Sequence, residues 1–351
     1  MKALVFRGPL DLLWDEVPTP ELVEGRDALV RPLAVARCDL DPAIALGLYP
    51  MSGPFVMGHE MVGEVVAVGD AAGPWRPGDR VIVPFQLSCM DCGACRRGLT
   101  NACERVASGT GFGLGPHGGI DLGGALAELV RVPWADVMLL RLPDGIDPVA
   151  AAGIPDNVSD GYRCVAGPLA DQPGAPVLVV GGLAPSVGLY AVMAAVALGS
   201  ERVTYVDDDA TRLELAASLG AEAVDANGRW EHLRLDRRFP IVVDANVLDA
   251  GRNLALRSVA ACGVCTSVSG GAGSMAMLPL QHMYNKGVRY EIGRVHACSM
   301  APIVLDLVER GMLDPARIIT ETVPFSGAVE GMLSPATKVV FVNDFAQVST
   351  R

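Results

Sequence analysis

The sequence predicts two domains: a barrel-like antiparallel β domain, then an α/β domain with a parallel, doubly wound sheet. Three observations carry this. With 351 residues, the chain exceeds the size at which a single core usually stops growing. Residues 1 to about 150 are rich in short β-type runs broken by Gly and Pro. From about residue 155, buried-strand runs alternate with helical runs, the pattern of parallel strands joined by helical crossovers.

In order along the chain, "MKALVFRGPLDLLW" alternates and turns like an edge strand pair. "DALVRPLAVARC", "GEVVAVG", "GDRVIVPF" and "LAELVRVP" supply further strands. In the second half "APVLVVGG" is a buried strand, "SVGLYAVMAAVALG" a helix, "RVTYVD" a strand and "TRLELAASLGA" a helix. "FPIVVDA", the helical "GRNLALRSV", "GVCTSVSG" and "VRYEIGRV" extend the sheet. After about residue 295, "MAPIVLDLVERGML" reads as a helix and "TKVVFVND" as a final strand.

Composition excludes several classes of partner. Lys and Arg total 28 against 40 Asp and Glu, a formal charge of −12, which repels phosphate backbones and anionic lipid surfaces. Neither nucleic acid nor membrane is expected as a partner. Apolar runs such as "YAVMAAVALG" fall short of the roughly 20 residues that span a bilayer. The opening stretch lacks the ordered regions of an export signal, so a cytoplasmic location is expected. There, clustered cysteines bind metal more often than they pair as disulfides.

The stretch "CMDCGACRRGLTNAC" holds four of the nine cysteines: Cys89, Cys92, Cys95 and Cys103. This spacing, with Asp91, Gly93, Gly98 and Asn101 as turn formers, lets the lobe 89–103 close four thiolates around a tetrahedral zinc. Four thiolates fill the shell, so this ion is structural and the chemistry lies elsewhere.

"VLVVGGLAPSVG" places a glycine-rich turn between a buried strand and a helix, where backbone N–H groups and a helix N-terminus hold a pyrophosphate. The motif is not the usual G-x-G-x-x-G. Gly181, Gly182 and Gly188 are present, Leu183 and Ala184 lengthen the turn, and Ser186 and Val187 open the helix. Asp207 ends the next strand, nineteen residues after Gly188. A carboxylate there binds the ribose hydroxyls of NAD and repels a 2′-phosphate. Arg212 joins the cofactor-binding candidates.

"FVMGHEMVGEVVAVG" presents His59 and Glu60 at the entry to a strand, and "AVARCDLD" presents Cys38 with acids nearby. Together with the cysteine lobe, "GGALAELVRVP" and the β-α unit ending in Asp207, they give the chain, over its whole length, a resemblance to the zinc-dependent medium-chain alcohol dehydrogenases. The resemblance implies a GroES-like β-barrel catalytic domain over 1–155, a Rossmann NAD-binding domain over 156–293, and a segment 294–351 returning to the catalytic part. It implies a second zinc, held by Cys38, His59 and a third residue, with one position left for substrate. "GIPDNVSDGYRCV" resembles the formaldehyde dehydrogenase branch, in which an aspartate is that third ligand. This selects Asp156 over Asp160, Cys164 and Glu60; Glu60 normally approaches the zinc without binding it. Asp41 matches the family carboxylate that orients the zinc-bound histidine, and Arg294 stands where the family's geometry implies a contact with cofactor phosphate or the cleft, a surface ion pair being the alternative.

The chemistry explains the need for such a metal. Hydride leaves readily only from an alkoxide, and a catalytic zinc lowers the pKa of bound water from about 15.7 to about 7. A comparable effect on an alcohol amounts to about 12 kcal/mol. The implied function is NAD-linked oxidation of an alcohol, or the reverse, by a homodimer or homotetramer. The alternatives are an aldehyde dismutase or formaldehyde-type dehydrogenase that retains its NAD, and a non-catalytic NAD-binding protein of the same fold. Leu40 departs from the Ser or Thr that passes the alcohol proton in many relatives, leaving Asp39, a ribose hydroxyl or water, with His296 or His117, as relay candidates. Leu40, Tyr49 and Phe85 fall where relatives line the substrate pocket and suggest an apolar substrate. Cys262, Cys265 and Cys298 are expected to pack in the core.

Overall fold

The computed structural model describes residues 1–115, 121–270 and 275–345. They form two compact units, Met1–Ser159 with the chain from His296 onward, and Asp160–Val295. Among the described residues, no helix is long and apolar enough to cross a membrane.

The first unit begins with β1 (Lys2–Gly8) and β2 (Asp11–Glu16), an antiparallel hairpin. Next come β3 (Ala28–Ala36), β4 (Phe55–Val56), β5 (Glu60–Val68), β6 (Arg80–Val83), β7 (Val130–Val132) and β8 (Leu140–Arg141). β1 lies between β2 and β4 in a small three-stranded sheet. In β3 buried residues alternate with half-buried ones from Ala28 to Ala34, the period-2 signature of a sheet with one covered face. Pro32 lies at one of two register shifts between β3 and β5, where a residue without an N–H is tolerated.

The second unit carries β9 (Val177–Val180), β10 (Val203–Asp207), β11 (Glu222–Asp225), β12 (Phe239–Asp244), β13 (Val259–Ser267) and β14 (Arg289–Ile292). All neighbours pair parallel, in the order β11-β10-β9-β12-β13-β14. This is the doubly wound dinucleotide-binding order, whose direction reverses beside its first strand, here β9. Phe239, Val242, Leu254 and Leu256 are buried together in one hydrophobic cluster.

The chain then returns to the first unit through the helix Ala297–Glu309, β15 (Glu321–Pro324) and β16 (Val339–Val342). β16 pairs antiparallel with β3 and completes the sheet β15-β16-β3-β5-β6-β8, with β7 also on β3. One pair, β15 with β16, is parallel, a departure from the purely antiparallel expectation.

The helix Ser159–Asp171 has no counterpart in the sequence reading. It contains Gly161, Gly167 and Pro168, which depress helix propensity, and packing overrides that preference. The expectation of a core position fails for Cys262. Both Cys262 and Cys265 belong to β13, but only Cys265 is buried. Cys262 takes a left-handed φ of 59° and is exposed.

Candidate active site

Register brings the first group together. Ala36 of β3 is opposite Glu60 of β5, so Cys38, just past one strand end, meets His59, just before the other. Gly58 permits this approach: it has φ +91°, and a Cβ there would meet Leu126 N at 2.9 Å. Asp156 arrives on a π-helical turn, Ile154–Val158, in which Val158 N–H donates to Gly153 O at 3.0 Å. Such wide turns recur at functional sites.

Ligand atoms of Cys38, His59, Glu60 and Asp156 all lie within 4.8 Å of one another. His59 Nε2 is 3.4 Å from Asp156 Oδ2, and its Nδ1 faces Asp41 Oδ1 at 3.6 Å. The latter is too long for a hydrogen bond, and both atoms are buried without a partner. Asp41 Oδ2 accepts from the Cys38 N–H at 2.9 Å.

Electrostatics mark the cluster as a place for a cation. Burial, then the carboxylates of Asp156, Glu60 and Asp41, push the Cys38 thiol well up. Burial disfavours a charged His59, yet Asp41 and Asp156 prevail and raise it to about 9. Asp156 is likewise penalised by burial, but the His59 ring holds its carboxyl below the usual range. A thiolate, an imidazole and a carboxylate suit zinc, and the 3.4 Å separation of His59 Nε2 and Asp156 Oδ2 matches a tetrahedral edge of about 3.3–3.8 Å for ligand bonds of about 2.0–2.3 Å.

Glu60 has a different partner. Lys338, just before β16, donates from Nζ to both Glu60 oxygens at 3.1 and 2.9 Å, to Arg37 O at 2.8 Å and to Asn157 Oδ1 at 2.7 Å. The pair is sealed, with side chains 1% and 0% exposed, and burial lifts the Glu60 carboxyl to about 8 despite the ammonium. The Arg37 guanidinium donates to the carbonyls of Gly331, Met332, Ser334 and Ala336, pinning the loop that delivers Lys338. Replacing Lys338 by Met strands Glu60 without its counter-charge. The expected loss is about 3–5 kcal/mol of folding stability, measurable as a lower denaturant midpoint.

Asp160 and Cys164 are engaged elsewhere: Asp160 pairs with Arg163 at 2.5 Å, and Cys164 Sγ donates to Asp160 O. Phe85 is buried with its ring centroid 5.5 Å from that of His59. Leu40 precedes the short helix Asp41–Ala45 and Asp39 is half-buried, while Tyr49 is 42% exposed. His296 Nδ1 accepts the Asn101 N–H at 3.2 Å, against the cysteine lobe. His117 lies outside the described residues.

The four lobe sulfurs are also within 4.8 Å of one another. Cys89 and Cys95 Sγ are 4.0 Å apart, far beyond a disulfide and close to the edge of a tetrahedron of four thiolates around zinc. Backbone N–H groups of Asp91, Cys92, Cys95 and Glu104 donate to the sulfurs of Cys89 and Cys92. Those from Glu104 and Cys95 lower the Cys92 thiol to about 6, whereas burial raises Cys95 to about 12. Ser299 Oγ donates to Gly98 O at 2.8 Å, which, with His296, fastens the lobe to the helix Ala297–Glu309. Cys298, on that helix, is buried.

In the second unit, the turn after β9 is tied to the end of β12. Leu183 N–H donates to Asn246 O and Ala184 N–H to Ala245 O, while Asn246 Nδ2 donates to Gly181 O at 2.6 Å. Gly182 is essential to this closure: its φ is +149°, and a Cβ would lie 2.6 Å from Asn246 Nδ2. The following helix, Pro185–Ala197, starts with a residue lacking an N–H, so its first N–H groups belong to Ser186 and Val187. Asp207 is fully buried at the end of β10. It accepts from Tyr205 Oη at 2.6 Å and from Arg212 Nε and Nη2 at 2.9 and 2.6 Å. Arg294 is exposed.

Residues 24–144 match the alcohol dehydrogenase GroES-like domain. The chain is 31% identical over 344 residues to zinc-type alcohol dehydrogenase B of Aspergillus flavus, covering 94% of this chain and 78% of that protein. The chain belongs to the zinc-dependent medium-chain dehydrogenase/reductase family. Among solved members of that family, alcohol dehydrogenase TADH from Thermus sp. ATN1 superposes with a TM-score of 0.87 at 34% identity, covering 98% of this chain and 100% of that one. Acetophenone reductase from Geotrichum candidum, solved in complex with NAD, gives a TM-score of 0.83 at 26% identity, covering 99% and 98%. The chain offers two candidate metal sites, and the one with Cys38 and His59 adds the carboxylates of Glu60 and Asp156 rather than a further cysteine.

The sequence reading missed Asn157, Lys338, Arg37, Tyr205 and Asn246. None carries a local motif, and each gains its place through partners distant in the chain.

Proposed function

We propose that this chain is an NAD-linked, zinc-dependent oxidoreductase that interconverts an alcohol with its aldehyde or ketone by hydride transfer. The observation that carries it is the buried convergence of Cys38, His59 and Asp156 from a strand end, a strand start and a π turn. A zinc held by these three would supply the Lewis acidity that makes a substrate hydroxyl acidic at neutral pH. Around it, Asp41 faces His59 Nδ1 at 3.6 Å and favours the ring electrostatically rather than by a hydrogen bond, and Lys338 neutralises Glu60. Phe85 and Leu40 offer an apolar wall to the substrate. Leu40 carries no hydroxyl, so the alcohol proton leaves by another route.

In the second unit, Gly181, Gly182, Ser186, Val187 and Gly188 frame the pyrophosphate site, and Asp207 with Arg212 receives the adenosine ribose. Arg294 belongs to the same proposal as a phosphate contact. Replacing Asp207 by Ala is expected to raise the KM for NAD roughly tenfold or more, the loss of a hydrogen bond to a charged group. It is also expected to improve turnover with NADP; initial rates with both cofactors check this.

The proposal includes a catalytic domain made of the first unit, with its returning segment, and a homodimer or homotetramer. Supporting the oligomer, β14 lies at the edge of its sheet, and Tyr284, Ile292, Met275 and Met277 are exposed. A cytoplasmic location is supported by nine free cysteines, and a net charge of −12 argues against nucleic acid.

The test is zinc content per chain, measured beside an NADH absorbance screen over alcohols and carbonyl compounds. Two zincs and alcohol-dependent NADH formation are expected. No turnover with any alcohol or carbonyl pair, in a protein holding both metals, would overturn the reading. Aldehyde turnover without added NAD would point instead to a dismutase.

A further inference from the structure

We infer that Asn157 is a positioning residue that orients two of the three zinc ligands and withdraws electron density from them. This rests on the reading of Cys38, His59 and Asp156 as the ligand set. Asn157 follows Asp156 in the π turn and is only 2% exposed. Its Nδ2 donates to Cys38 Sγ at 3.4 Å and to Asp156 Oδ2 at 3.1 Å, while its Oδ1 accepts from Lys338 Nζ at 2.7 Å.

The orientation of the amide follows from its neighbours. An ammonium can only donate, so it must face the carbonyl oxygen, and this turns the NH2 group toward the sulfur and the carboxylate. The two amide hydrogens then meet two groups able to accept them. The π turn makes this possible, because Asp156 and Asn157, adjacent in sequence, both reach the cluster from it. Ser159 Oγ, donating to Ile154 O at 2.6 Å, ties off the end of that turn.

Two consequences follow for a bound metal. A thiolate and a carboxylate that each accept an N–H bond are held in one rotamer, which limits the reorganisation required on binding. They also donate less charge to the metal, leaving it a stronger Lewis acid toward the substrate oxygen. Lys338 adds to this, since an amide whose oxygen is bound to an ammonium is a stronger N–H donor. A charge more than a hundred residues away in the sequence thus reaches Cys38 through one neutral side chain.

The test uses Asn157→Leu, which keeps the size but removes every polar atom, and Asn157→Asp, which keeps an acceptor for Lys338 but removes the N–H donors. Each full-length protein is exchanged with cobalt(II) at the second site while zinc is retained in the cysteine lobe. The thiolate-to-cobalt charge-transfer band in the near ultraviolet is then recorded. The expected result is a shift of that band to longer wavelength in both variants, because the sulfur regains electron density. Metal binding by the Leu variant, measured by chelator competition, is expected to weaken about 10–100-fold.

A residue that merely fills space would change thermal stability and leave the band in place. Bands superimposable on the wild type in both variants overturn the inference. If the Leu variant fails to fold, seen as loss of the lobe metal, the band of the Asp variant decides alone. A wild-type protein that takes up no metal beyond the lobe contradicts the ligand set itself, an outcome distinct from failure of the Asn157 inference.

Discussion

Cys38→Ser is expected to remove one of two zinc ions per chain and lower kcat/KM by at least about a thousandfold. The magnitude follows from the chemistry. A Lewis acid at a developing oxyanion contributes several kcal/mol, and about 4 kcal/mol corresponds to about three decades in rate. Ser is a poor zinc ligand near neutral pH. Without the thiolate, His59 and Asp156 remain as a two-point site, with Glu60 still engaged by Lys338. Cofactor affinity is expected to stay near wild type, because Gly182, Asp207 and Arg212 belong to the other compact unit. Zinc analysis, steady-state kinetics and NADH fluorescence titration give the three readouts.

The opposite separation is expected for Cys95→Ser in the lobe. Apparent binding energies of structural zinc in small peptides reach about 10–16 kcal/mol, comparable with the roughly 5–15 kcal/mol that keeps a whole domain folded. The lobe is fastened by Ser299 and His296 to the helix Ala297–Glu309, and that helix also packs on the π turn. Loosening the lobe therefore reaches the element carrying Asp156. The expected outcome is a melting temperature lower by more than about 10 °C, with kcat of the folded fraction at low temperature within about threefold of wild type. A lobe variant that folds normally and is selectively dead would contradict this division of labour.

The fold was legible because its signals are local. Short β runs and strand–helix alternation can each be read within a window of ten residues, and both units follow them. The lobe is local in the same way, since four cysteines within fifteen residues have few ways to close except around a metal. Cys38 and His59 are conspicuous only with the lobe and the family pattern beside them. What joins them is the β3–β5 register at Ala36 and Glu60, which no spacing reveals.

Asp156 came from resemblance alone, and the physical reason is the π turn: neither helical nor strand periodicity applies to a five-residue wide turn. Lys338 and Asn157 were invisible because their partners lie far along the chain, Glu60 at a separation of 278 residues and Cys38 at 119. In isolation, a buried lysine before a strand reads as an exposed charge. Asp207 could be picked out as an acid at a strand end. That Tyr205 and Arg212 occupy its carboxylate depends on side-chain directions that the sequence does not display.

The central claim is that a metal held by Cys38, His59 and Asp156 performs the chemistry while the lobe metal maintains structure. Anomalous diffraction at the zinc absorption edge, on crystals of protein assayed for turnover, tests it most directly. The account predicts two peaks per chain, one among the four lobe sulfurs and one bounded by Cys38 Sγ, His59 Nε2 and Asp156. Fully active protein showing the lobe peak alone would contradict it.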